Sequence, residues 1–211
     1  MRSSPSMEEV EQVGRSITAS ELVKKLERDR IFFEESGGGI TLSGGEPLAQ
    51  PAFTTEVLKQ CKQINLHTTL DTCGYASAET INAVLPFVDL FLYDLKHLDS
   101  AAHKAITGCP NEPILENLRL LIAANANLEI RYPIIPGAND DNSALDQLGI
   151  QMQQLGIESL HLLPYHAYGN HKWSKLDGLP KAQPIPHQSE ERLQEIKALL
   201  EPYQLNITIG S

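Results

Sequence analysis

Gly37-Gly38-Gly39-Ile40-Thr41-Leu42-Ser43-Gly44-Gly45-Glu46-Pro47 is the stretch whose reading decides the fold. A short apolar strand is bracketed by glycines on both sides and delivers a Glu, then a proline, at its C-terminal end. Two readings of that end are open. Paired glycines let a backbone come close to a ligand because no Cβ intervenes, with the Glu as a fixed anionic acceptor. Alternatively the stretch is a tight strand-to-helix turn with a solvated Glu.

Outward from that strand the chain alternates. Before it, Thr18 and Glu21 form a capping-box pattern that opens a helix through Leu22, Leu26 and Phe33. After it, Pro51 suits a first helical turn, and Phe53, Val57, Leu58, Cys61 and Ile64 follow at helical spacing. His67 to Asp71 reads as the next strand, and Ser77 caps a helix through Ile81, Val84 and Leu85. Leu90 to Asp94 is a strongly apolar strand, followed by helical pieces around 100–106 and 113–124. Leu128 to Ile135 is a strand that Pro133 is expected to interrupt, and Leu145, Leu148, Met152 and Leu155 make a helix that Gly156 ends. Ser159 to Pro164 is another strand. A long loop over 165–188, a helix capped by Ser189 and a last strand, Asn206 to Ile209, complete the chain.

Strands alternating with helices of this length mean right-handed βαβ units and a parallel sheet. Five clear strands and a terminal one are too few for an eight-unit barrel, so the expected fold class is α/β, as an open partial barrel. Residues 1–16 read as a leader and 17–211 as the barrel. At 211 residues, with 41% hydrophobic and 21% charged residues, one globular domain fits. A net charge of −10 with no basic cluster argues against a general nucleic-acid binder. No apolar run approaches the ~18 residues of a membrane span, and no apolar signal core follows Met1. Cys61, Cys73 and Cys109, odd in number and far apart, read as free thiols of a cytoplasmic protein.

Functional groups should gather at the C-terminal ends of parallel strands. In order, those ends carry Glu46, Asp71, Asp94 with Lys96, and Tyr165-His166, while the fourth strand carries Arg131 inside it and continues to Pro136-Gly137. Any one of them could simply mark where polarity resumes. Together they point to a polar pocket with groups of both signs, suited to a zwitterionic small molecule: Glu46 and Asp94 can accept from an ammonium or from hydroxyls, and Lys96 and Arg131 can pair with a carboxylate. His161, His166 and His171 look like a metal set, but a spacing of five places the first two on opposite faces of a strand.

Ser43-Gly44-Gly45-Glu46-Pro47 resembles the motif with which radical S-adenosylmethionine enzymes hold the methionine amino group. Further blocks resemble one subgroup, the activating enzymes of glycyl radical enzymes (pyruvate formate-lyase activating enzyme-like). They are Phe32-Phe33-Glu34-Glu35-Ser36-Gly37-Gly38-Gly39, His67-Thr68-Thr69-Leu70-Asp71-Thr72-Cys73-Gly74-Tyr75, Tyr93-Asp94-Leu95-Lys96-His97, Arg131-Tyr132-Pro133-Ile134-Ile135-Pro136-Gly137 and Leu162-Leu163-Pro164-Tyr165-His166, with Gly169 and Lys172 following. The resemblance implies a partial (β/α)6 barrel. It also implies a reduced [4Fe-4S] cluster, reductive cleavage of S-adenosylmethionine, and hydrogen abstraction from a glycine of a partner enzyme, with flavodoxin or ferredoxin as reductant. By position it implies that Gly44, Gly45 and Glu46 hold the cofactor's amino group. Asp94 and Lys96 would contact its ribose and carboxylate, Leu95 would line the site, and His166 and Arg131 would complete it. Asp71 and Thr72 would face the same pocket toward the glycine-bearing loop.

One departure is large. The family's Cx3CxxC cluster loop follows its first strand, and nothing here resembles it, so the chain reads as one that begins after that strand and is inactive alone. Ser4-Pro5 ahead of Gly14-Arg15 loosely matches the tail of a ferredoxin-like insertion found in some members. Two rival readings stand beside this one: a non-catalytic module that binds the cofactor or the glycine loop, and a lyase using Lys96 as a Schiff-base nucleophile. The second is opposed by Asp94, two residues away on the same strand face.

Overall fold

The computed structural model describes residues 15–165 and 185–210. Thr18 caps α1 (Ala19–Leu26), its hydroxyl accepting from the Glu21 N–H while the Glu21 carboxylate accepts from the Thr18 N–H, as the sequence predicts. The single helix expected through Phe33 is two. A 3₁₀ turn, Glu27–Asp29, separates α1 from α2 (Arg30–Ser36). Glu27, Arg28, Asp29 and Arg30 fill a whole turn with charge, so no apolar side chain anchors the helix there. Of the expected leader, only Arg15 and Ser16 fall among the described residues.

Gly37 ends α2 in the left-handed conformation, φ 63°, and the chain enters β1 (Ile40–Leu42). Then follow α3 (Pro51–Gln63), β2 (Thr68–Thr72), α4 (Ala78–Val84), β3 (Leu90–Asp94), α5 (Ser100–Thr107), α6 (Glu112–Ala123), β4 (Leu128–Ile134), α7 (Asn142–Gln154), β5 (Ser159–Pro164), α8 (Glu190–Leu200) and β6 (Asn206–Ile209). Side-chain caps start most of the helices: Ser77 for α4, Asp99 for α5, Asp141 for α7 and Ser189 for α8.

The six strands lie in sequential order, and each neighbouring pair is parallel. That order belongs to a (β/α) barrel wall and has no switch point of the doubly wound kind. The fold is therefore the expected one, an α/β partial barrel, with helices packed along one face of the sheet. The core lies between them: Leu70, Phe91, Tyr93, Ile130, Tyr132, Leu160 and Leu162 point from the strands toward Val57, Leu58, Ile81, Leu118, Leu145 and Ile196 of the helices.

Pro133 does not interrupt its strand. β4 runs through it, in register with Leu163 of β5. The Leu95 N–H donates to the Arg131 carbonyl, so the main chain of residues 131 and 133 turns toward β3, whose last ladder residue is Asp94. Pro133 thus sits where no ladder acceptor remains for an N–H, and its carbonyl accepts from Asn139 Nδ2 at 2.7 Å.

Residues of the opposite parity form the other face of the sheet. They are largely polar: Thr41, Thr69, Asp71, Asp94, Glu129, Arg131, His161 and Thr208.

Candidate functional site

Four strands, β1 to β4, and the turns after the first three build one cleft, lined by Ser43, Gly44, Gly45, Glu46, Asp71, Thr72, Cys73, Asp94, Lys96 and Arg131. Each group arrives by simple geometry. Parallel pairing sets Ile40–Leu42 beside Thr68–Leu70, so Ser43 follows on β1 beside Asp71, and its hydroxyl donates to Asp71 Oδ2 at 2.8 Å. Asp94 is paired with Arg131 in the ladder, and Arg131 Nε donates to Asp94 Oδ1 at 2.9 Å. The same guanidinium also donates through Nη2 to Asp71 Oδ1 and lies 2.8 Å from Asp94 Oδ1. Lys96, two residues past Asp94, holds Nζ 3.6 Å from Asp94 Oδ2.

Glu46 is held more firmly still. Its Oε1 accepts from the Leu48 N–H at 3.0 Å and the Thr72 hydroxyl at 2.7 Å. Its Oε2 accepts from the Cys73 N–H and the Cys73 thiol, each at 3.0 Å. Burial, and next the bond to the Glu46 carboxylate, push the Cys73 thiol up to about 11, so it stays a donor through the neutral range.

The structure brings together Gly44, Gly45, Glu46, Asp94, Lys96 and Arg131, and adds Asp71 and Thr72 as expected. Leu95 is a correction. Its side chain, 2% exposed, belongs to the core on the helix side of β3, because the two-residue strand period turns it away from Asp94 and Lys96. Only its backbone reaches across, to the Arg131 carbonyl at 2.9 Å. The carboxylate-binding role expected of Arg131 also changes, since its guanidinium is already engaged by Asp71 and Asp94, leaving Lys96 as the more available cation. His166, with Gly169, His171 and Lys172, lies outside the described residues.

Sequence reasoning missed the supports of the site. Asn139, fully buried, donates from Nδ2 to the carbonyls of Lys96 and Pro133, both at 2.7 Å, and accepts the Ile135 N–H at 2.7 Å. It thereby fixes the end of β3 to the turn after β4. Asn117 does the same for the turn after β2, donating to the carbonyls of Gly74 and Ala76. The Pro136-Gly137 turn just ahead of Asn139 was the one available signal.

A profile of the radical SAM superfamily matches residues 3–148. The trans-4-hydroxy-L-proline dehydratase activating enzyme of Clostridioides difficile is 43% identical over 95% of this chain and 67% of its own length. The chain belongs to the radical SAM superfamily, among its glycyl radical enzyme activating enzymes. The isethionate sulfite-lyase activating enzyme of Nitratidesulfovibrio vulgaris is 44% identical over 78% of the chain, which spans 54% of that relative. Among solved structures, a domain of the pyruvate-formate lyase-activating enzyme from Bacteroides vulgatus ATCC 8482 superposes with a TM-score of 0.69 at 35% identity, covering 82% of this chain and 99% of that one. Among the described residues no helix is long and apolar enough to cross a membrane.

Radical SAM enzymes imply S-adenosylmethionine and a [4Fe-4S] cluster. The cleft's donor set fits the amino-acid end of the first. Gly44 has φ 132°, and a Cβ on either Gly44 or Gly45 would meet nothing within 4 Å, so the paired glycines leave an open cradle beside two carboxylates and a lysine. The described residues do not fit the cluster. Cys61 is buried in α3, Cys73 is bonded to Glu46 and Cys109 follows α5, and no three of the described His, Cys, Asp or Glu residues group to hold a metal.

Proposed function

We propose that the protein carrying this chain is an activating enzyme that uses S-adenosylmethionine to place a radical on a glycine of a partner enzyme in the cytoplasm. S-adenosylmethionine held in the cleft would supply, on reduction by one electron from a flavodoxin or ferredoxin, the chemistry that abstracts a hydrogen atom from that glycine. The observation that carries this reading is the convergence of Asp94, Lys96, Asp71 and the Gly44–Gly45 cradle on one cleft at the C-terminal edge of a parallel sheet.

In this reading each residue has a task. The backbone at Gly44 and Gly45 receives the methionine ammonium, with Glu46 fixing that turn through its four donors. Lys96 pairs with the methionine carboxylate and Asp94 accepts from the ribose hydroxyls; His166, next in sequence after Tyr165, is assigned to the cofactor by the family motif alone. Arg131 pairs with both Asp71 and Asp94 and holds the two carboxylates side by side in the cleft lining. The described residues supply no thiolate set for the cluster, so we propose that this chain alone binds S-adenosylmethionine without cleaving it. The partner is assigned by the shared step, a hydrogen atom taken from glycine; the relatives' names span a dehydratase, a sulfite-lyase and a formate-lyase.

Lys96 as a Schiff-base nucleophile finds no support in the geometry. It sits next to Asp94 in a polar cleft, without the apolar enclosure that activates such lysines.

Isothermal titration of the chain with S-adenosylmethionine tests the reading. Saturable binding is expected, weakened about tenfold by Asp94→Asn and by Lys96→Met, the size of one lost charge-assisted hydrogen bond. No binding, or binding untouched by both substitutions, would sink it.

A further inference from the structure

The cofactor cleft contains a nucleophile that the proposed reaction does not use. Cys73 lines the cleft with Glu46, Asp94, Lys96 and Arg131, and it is half-buried there. Its Sγ lies 3.0 Å from Glu46 Oε2, with the S–H donating, and the Cys73 N–H donates to the same oxygen. Cations in a cleft ordinarily draw a thiol toward its thiolate, the form that attacks. Here they are countered. Arg131 is paired with Asp71 and Asp94, and Lys96 with Asp94. Nearby donors are committed elsewhere: the Thr72 hydroxyl donates to Glu46 Oε1, the Gly74 N–H to Thr72 Oγ1, and the Tyr93 hydroxyl to the Ile114 carbonyl. The Tyr75 N–H and the Lys96 charge still favour the thiolate, but burial, and next the Glu46 carboxylate, outweigh them.

Burial alone would account for an unreactive thiol. It does not account for a sulfur whose proton is directed at the carboxylate that fixes the Gly44–Gly45 turn. In the reading above, the same cleft holds the methionine end of a sulfonium, which is a methyl donor. A thiolate there would attack the methyl carbon: the Sγ–CH3 bond forms, the methyl–sulfonium bond breaks, S-adenosylhomocysteine leaves and the thiol proton passes to solvent. Each such event would consume cofactor and leave a thioether where Glu46 has a donor. We propose that the Glu46 carboxylate masks Cys73, holding it as a neutral donor so that the cleft does not methylate itself. The carboxylate then has two tasks, shaping the glycine turn and suppressing the nucleophile beside it. This rests on the activating-enzyme reading above.

Iodoacetamide labelling of the folded chain, with Cys61 and Cys109 read separately by peptide mass spectrometry, tests the mask. At a pH of about 8.5, Cys73 is expected to react about a hundredfold more slowly than in the urea-unfolded chain, since its ionisation lies near 11 against an ordinary ~8.5. Its rate should still climb about tenfold per pH unit through about pH 10, where the unfolded chain levels off; hindered access would slow the reaction without moving that midpoint. Glu46→Gln should label about fivefold faster, whereas Glu46→Asp, which keeps the charge, should stay within about twofold of the native rate. A native profile that levels off with the unfolded chain, labelling unchanged by Glu46→Gln, or Glu46→Asp as fast as Glu46→Gln would each overturn the mask. So would a methyl group on Cys73 after the native chain is incubated with S-adenosylmethionine. Calorimetry on the same preparations separates the two readings: labelling as expected in a chain that binds no S-adenosylmethionine would uphold the Glu46–Cys73 pair and overturn the reading of the cleft.

Discussion

Four donors meet the Glu46 carboxylate, two of them backbone N–H groups, and a carboxylate offers about four lone-pair directions. Its main work is to hold the Gly44–Gly45 turn in shape, a role the sequence could not show because the thiol and hydroxyl partners come from the next strand. Asn139 is a parallel case on the other side of the cleft. Its amide reaches Lys96, 43 positions earlier in the chain, and no spacing rule connects the two. Asn139→Ala removes three side-chain hydrogen bonds at a fully buried site. It should cost about 3 kcal/mol in chemical denaturation and also loosen S-adenosylmethionine binding, because the Lys96 carbonyl loses its anchor. Asp94 and Lys96 were legible from the sequence because an apolar strand ends on the first with the second just beyond, and Arg131 because it is a charge inside an otherwise apolar strand. Leu95 was misplaced because a motif names neighbours in sequence, whereas a strand turns neighbours to opposite faces.

At the scale of elements, the run of glycines before β1 has two separate causes. Gly37 supplies the left-handed turn that ends α2. Gly39 answers to a close approach: a Cβ there would stand 2.2 Å from the His67 carbonyl oxygen, on the chain leading into β2. The neighbouring Ile40 N–H bonds to that same oxygen at 2.9 Å, so the backbone cannot give way without losing the first bond of the β1–β2 pair. Gly39→Ala is therefore expected to lower stability by about 2–4 kcal/mol in urea denaturation, well beyond the ordinary effect of adding a methyl group, and to reduce S-adenosylmethionine affinity through displacement of β1. Order and type of elements were readable because periods of two and of 3.6 alternate cleanly along the chain. The break between α1 and α2 and the passage of β4 through Pro133 were not. The second depends on which neighbour β4 faces, of which local propensity carries no record; the first follows from the charged turn Glu27 to Arg30, whose lack of an apolar anchor the helical reading passed over.

At the scale of the molecule, Asp89 joins three parts of the fold. It accepts from Lys62 of α3 at 2.5 Å, and from the N–H and hydroxyl of Thr68 in β2 at 2.8 and 3.0 Å, while standing just ahead of β3. Burial alone would raise its carboxyl, but the bonds from Lys62 and Thr68 outweigh that and hold it below the usual carboxylate range. A folded value below the unfolded one contributes stability at pH above about 3.9, and that stability is lost as pH falls through the folded value. Urea midpoints measured from pH 7 to pH 3 should fall steeply at the acid end. Asp89→Asn should be less stable at neutral pH and show a shallower acid slope; an unchanged slope would remove Asp89 from the account of acid unfolding.

The division of the sheet into a packed face and a polar face has a consequence for descent. Leu70, Phe91, Ile130 and Leu162 make the fold cohere, and none of them touches the open side. Glu129, His161 and Thr208 can be exchanged in a lineage without disturbing that packing, since surface changes of this kind seldom shift stability by more than about 0.5 kcal/mol. Relatives named for a dehydratase and for a sulfite-lyase share more than two-fifths of their aligned residues with this chain. A scaffold with this partition lets the polar face diverge while the architecture is inherited intact.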